Sequence, residues 1–215
     1  GGMNELTQSV QDQLVETQRK SILSLSHKDA REFLLKAESY NSVDLPPYFV
    51  FGDLIAQVHA QLDGKTLSSL SSNPRDFDDV NYTILNNKDG KYAWRPFQLI
   101  NPALYVSLVH RITEESNWGL IIERFDQFSA NKKIHCLSLP VVSQSDEKDK
   151  AEQVSHWWHE VEQRSIELAL EYGCLLETDI TDCYGAIYTH SIAWALHTKP
   201  EAKKKENRTD LKLIG

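Results

Sequence analysis

Residues 149–180 constrain this chain more than any other stretch, because a long run of helical periodicity passes directly into an apolar segment that ends in carboxylates. Over about 149–172, Val154, Trp157, Trp158, Val161, Leu168 and Tyr172 fall near one face of a helix. Gly173 stands where a C′ glycine would end it. From Cys174 to about Ile180 the residues read as a strand, on which 175, 177, 179 and 181 share one face. A long helix feeding a strand with an acidic end predicts an α+β fold.

The remaining segments fit that class. Residues 4–25 read as a polar helix and 27–40 as a second, with Ser26 as its cap and Ala30, Phe33, Leu34 and Ala37 on one face. After Leu45-Pro46-Pro47 a third helix is expected from about Phe51 to Leu62, ended by Gly64, then an exposed loop over 65–79. Tyr82–Leu85 and Tyr92–Trp94 flank Asn86–Gly90, which predicts a hairpin with a five-residue connection. Asn101-Pro102 starts a helix whose apolar stripe is Leu104, Leu108 and Ile112, with Tyr105 and Val109 beside it. Ile134–Leu139 reads as a strand, 143–150 as a polar turn, and 186–197 as a helix. The chain thus divides into a helical region (4–78), a hairpin-and-helix region (79–148), the helix–strand–helix of 149–199, and a polar basic tail (200–215). Gly1-Gly2-Met3 looks like a cloning scar.

Composition narrows the function classes. No apolar run approaches a bilayer span, and no charged-then-apolar leader opens the chain. Three cysteines, Cys136, Cys174 and Cys183, without a C-x-x-C pair suit a reduced, cytoplasmic protein. No basic neighbour in sequence marks any of them as a nucleophile. The net charge of -8 lends no support to nucleic-acid binding, and Lys203-Lys204-Lys205 sits between glutamates as a solvated run would. His156 and His159 share a helical face but have no third ligand at evident spacing, and the intervening tryptophans are needed as core, so zinc is disfavoured. His190 and His197 read as structural.

The acids Asp179 and Asp182 have two explanations. One is a solvated strand end, with Asp182 capping the next helix. The other rests on the longer string ETDITDCYGAIYTHSIAWALHTK, Glu177 to Lys199, which resembles motif A of reverse transcriptases, closest to bacterial antiphage-defence and abortive-infection types. Trp94-Arg95-Pro96-Phe97-Gln98-Leu99-Ile100-Asn101-Pro102 looks like their fingers segment, and Asp44-Leu45-Pro46-Pro47-Tyr48-Phe49 like part of their N-terminal region. The similarity runs over most of 28–215, with motif A its specific part.

That resemblance implies fingers followed by the first part of a right-hand polymerase palm. It implies RNA-templated DNA synthesis from deoxynucleoside triphosphates, with Mg²⁺ as cofactor. Two such ions about 3.5–4 Å apart stabilise the attacking and leaving oxygens of nucleotidyl transfer. Asp179 would bridge the ions, the Ile180 carbonyl would help hold one, and Tyr184 would be the gate that excludes a 2′-hydroxyl. Asp182 and Glu177 have no matching metal role. Arg95 and, more weakly, Lys91 are candidates to grip the triphosphate; four apart, they would share a strand face, with a surface salt bridge as the competing explanation. The Tyr/Phe-Ala-Asp-Asp turn and glutamine-glycine motif of the family do not occur in the 215 residues, so the chain is expected to be an incomplete catalytic domain, inactive alone. The alternative is a non-catalytic module that binds RNA or a protein, its acidic strand end incidental.

Overall fold

The computed structural model describes residues 20–41, 45–65, 67, 77, 79–87, 90–91, 94–143, 149–181 and 183–204. The class is α+β: the described residues form helices and one small antiparallel pair of strands. The chain divides into two compact units, His27–Glu114 and the flanking Gly1–Ser26 with Glu115–Gly215. No described helix is long and apolar enough to cross a membrane.

In the His27–Glu114 unit the expected second helix is broken into α1 (His27–Leu34) and α2 (Ala37–Tyr40). Lys36 is extended at the joint, and the Ser39 hydroxyl donates to the Phe33 carbonyl at 2.7 Å, competing with continuous helix bonding. Helix α3 (Gly52–Leu62) ends as expected, with Gly64 at φ +68, a conformation that costs glycine little. The hairpin is β1 (Tyr82–Asn87) and β2 (Trp94–Leu99), Ile84 opposite Phe97 and Asn87 opposite Trp94. It differs from expectation in that Asn86 and Asn87 are paired; Tyr92 and Ala93, expected in the second strand, lie outside the described residues. The Asn87 carboxamide accepts the Gly90 N–H at 2.8 Å. Pro96 is tolerated because a two-stranded sheet leaves each strand a free edge.

Helix α4 (Pro102–Ile112) begins as its sequence demands: the Asn101 side chain accepts the Ala103 N–H at 2.9 Å and Pro102 opens the helix. Its buried face is shifted from the Leu104, Leu108, Ile112 stripe toward the expected flank of Tyr105 and Val109. Val106, Val109 and Thr113 are buried while Leu108 is 55% exposed. The phase is set by neighbours: Val106 joins Tyr40, Ile55 and Leu62 in the core, and Thr113 receives Arg31 Nε at 2.8 Å while donating to the Val109 carbonyl at 2.7 Å. Burying side chains the size of Ile55 and Val106 stabilises by roughly 1.5–3 kcal/mol each. Tyr40 stands edge-on to Tyr105 and Phe51, with its hydroxyl donating to the Ile100 carbonyl.

The other unit contains a 3-10 turn, Ile22–Ser24, where the end of the expected first helix would lie; residues 4–19 are outside the described set. Helix α5 (Glu115–Ser129) packs on α8 (His190–His197), and its Trp118 is buried with Nε1 donating to the Leu25 carbonyl. Ile134–Leu139 is not a strand; next along the chain, only Val141 bridges, to Ser21. The Gln153 carboxamide takes the place of a second partner, accepting from Val141 N–H at 2.9 Å and donating to its carbonyl at 2.5 Å. Gln153 lies on α6 (Asp149–Glu171), the long helix expected from periodicity. Helices α7 (Cys183–Ala186) and α9 (Lys199–Ala202) are the other helices among the unit's described residues.

Candidate functional site

Helix α6 ends close to where its pattern predicts, Tyr172 N–H still donating to the Leu168 carbonyl. Gly173 does not close it in the expected left-handed conformation, which among the described glycines belongs to Gly64 and Gly90. The segment from Cys174 to Ile180 is irregular, so the expected palm strand is absent here. A strand needs a neighbouring backbone for its N–H and C=O groups. The described sheet contains only β1 and β2, and Leu175 and Leu176 are 81% and 86% exposed.

Asp179 sits on this exposed segment, its Oδ1 accepting the N–H of Ile180 at 2.8 Å. It is not packed under hydrocarbon, and the following Ile180 is itself exposed. The backbone of Tyr184 lies in α7 as a short helix after the acidic segment; its side chain and all of Asp182 lie outside the described residues, including the capping role expected of Asp182. Among the described residues no three of His, Cys, Asp and Glu gather as a metal site. That includes His156 and His159 on α6, of which His159 borders a surface hollow with Ser155, Trp158, Val161 and Glu162. Cys136, Cys174 and Cys183 are free and exposed.

Arg95 lies on β2 opposite Asn86, whereas Lys91 lies in the connection before β2. They do not share a strand face, because the strand begins three residues later than Lys91. Both are exposed and belong to the His27–Glu114 unit, while Asp179, Ile180 and Tyr184 belong to the other.

Sequence reasoning missed a histidine pair. His59 Nδ1 and His110 Nε2 are 2.6 Å apart and the rings meet edge to face, joining α3 to α4. Burial, then His59 and Arg31, hold His110 below its ordinary value, opposed by Asp63. Nearby, burial and Tyr40 push the Tyr105 phenol up to about 12. The signal was spacing: His59 falls between Ile55 and Leu62 on one face of α3, and His110 between Val106 and Thr113 on α4.

No protein-family model matches the sequence, and a search of curated proteins finds no match.

Proposed function

We propose that the chain is the N-terminal part of an RNA-directed DNA polymerase, working in the cytoplasm, with Asp179 as one carboxylate of its catalytic centre. The observation that carries this is the motif A-like string, in which a solvent-exposed aspartate precedes a tyrosine at the start of a short helix. Asp179 and the Ile180 carbonyl are oxygen donors of the type Mg²⁺ prefers. Among the described residues no group of three His, Cys, Asp or Glu gathers around them, so a Mg²⁺ ion held here would draw its remaining ligands from water, substrate or other segments. What these residues offer is a carboxylate whose nearest polar contact is its own neighbour's N–H, leaving acceptor capacity for a cation. Tyr184 would discriminate the sugar, and Arg95 and Lys91 would meet triphosphate oxygens in charge-assisted hydrogen bonds. RNA template, DNA product and a role in phage defence follow from the resemblance alone.

The test is nucleotide incorporation on an RNA template by an assembled polymerase containing this chain. Asp179→Asn is expected to reduce Mg²⁺-dependent incorporation to background without changing the circular dichroism or melting temperature. Tyr184→Ala is expected to admit ribonucleotides. Full incorporation by a folded Asp179→Asn enzyme would remove the proposed role of the aspartate.

A second reading, a protein-binding module, is favoured by one specific observation. Trp158, Ile166, Leu170, Leu175 and Leu176 are all more than half exposed along α6 and the segment after it. Apolar side chains grouped along one stretch of chain are a feature of surfaces that meet another protein.

A further inference from the structure

The unit formed by Gly1–Ser26 and Glu115–Gly215 holds a cavity of about 470 Å³ that plays no part in the polymerase reading. Its wall is built from Phe125 and Phe128 of α5, Leu137 and Leu139 of the irregular segment, Leu196 of α8, and Leu23. This volume lies in the range of roughly 300–1,000 Å³ typical of small-molecule sites, which are mostly apolar with a few placed polar groups. One such group is a cation. Arg124 Nε donates to the Ala195 carbonyl at 2.8 Å, and the guanidinium lies 5.2 Å from the centre of the Phe128 ring. It also donates to the Gln127 carboxamide, and among the described residues it makes no ion pair. A guanidinium held by a carbonyl and an aromatic face is preorganised for an anion. Asp126 also borders the cavity and disfavours a multiply charged head. His135 completes the polar edge, its Nε2 near the Lys132 carbonyl and Arg164 Nη2.

We propose that this cavity binds an amphiphile with a single anionic head, a medium-chain carboxylate. Its tail lies among Phe125, Phe128, Leu137, Leu139 and Leu196, and its carboxylate pairs with Arg124. The apolar wall excludes a nucleotide, whose sugar and phosphates would be left without partners. Each methylene buried in the wall tightens binding by about fourfold until the cavity is full.

Equilibrium dialysis of the whole chain against dodecanoate, below its micellar concentration, tests this. The expected result is saturable binding at one site, weaker for decanoate and weaker again for octanoate. Arg124→Gln is expected to weaken dodecanoate about tenfold while leaving 1-dodecanol unchanged. Leu196→Trp should abolish binding by filling the cavity; because a helix-face change risks the fold, Ile134→Trp, at a 63% exposed position of the lining, serves as the second block. Absence of saturable binding overturns the proposal. So does binding that survives both tryptophan variants in chains with unaltered circular dichroism, or that is indifferent to Arg124→Gln.

Discussion

The two facing nitrogens of His59 and His110, 2.6 Å apart, can share one proton but cannot each carry one without repulsion. Burial, His59 and Arg31 together lower the His110 pKa from its ordinary 6.5, with Asp63 pulling the other way. The unfolded chain, in which His110 keeps its ordinary value, therefore takes up protons more readily as the solution is acidified. The stability associated with neutral His110 is complete above about pH 6.5 and is lost as pH falls through the lower folded value. Denaturant midpoints measured between about pH 8 and about pH 5 are expected to fall on the acid side. In His110→Gln that acid-side fall should be shallower. Equal slopes in the two proteins would show that His110 does not titrate as described.

Among the elements, α4 is the one whose start depends most clearly on a single side chain. Asn101 accepts from Ala103 N–H, and its own N–H donates to Asn81 Oδ1. Asn101→Ala removes only the first bond, and should cost about 1 kcal/mol, read as a lower denaturant midpoint with unchanged slope. This start was legible because Asn-Pro states both halves of a local rule. The same holds for the end of α3 at Gly64 and for the length of α6. What failed was whatever depends on partners distant in sequence. The stripe Leu104, Leu108, Ile112 has the right period and the wrong phase, because Arg31 and the Tyr40–Ile55 core select Val106 and Thr113 instead. Helix α5 went unnoticed, since Gly119 and its charged residues dilute the pattern around the buried Trp118. The segments 134–139 and 174–180 have strand-like composition, yet composition supplies no neighbouring backbone. At the candidate site the strand expected under Asp179 did not form, and the single helix expected over 186–197 is two, Cys183–Ala186 and His190–His197; the histidine pair and the Arg124 cavity were not legible, because each is assembled from different helices.

For the molecule as a whole, the contrast between its charge and its exposed apolar side chains matters most. A net charge of -8 favours solubility through mutual repulsion, while Leu170, Leu175 and Leu176, each more than four-fifths exposed, favour association. Replacing these three leucines with lysine moves both terms: it removes apolar surface, and it brings the net charge closer to zero. Loss of contact surface should dominate, because Leu175 and Leu176 are neighbours and Leu170 lies five residues before them. Light scattering is expected to show less concentration-dependent association in the triple variant. Its melting temperature should change little, since exposed positions usually shift stability by about 0.5 kcal/mol or less. Unchanged association would locate the adhesive surface elsewhere.

The Ser21–Val141 bridge also sets a timetable. His27–Glu114 is one uninterrupted stretch, so a ribosome releases all of that unit before the unit whose segments flank it in sequence can be completed. Ser21, made early, must wait roughly 120 residues for its partner, several seconds at ordinary elongation rates of about 5–20 residues per second. During that interval the Ile22 N–H lacks the Pro140 carbonyl that accepts it in the folded unit. A chaperone acting on this protein would have most to do in that gap.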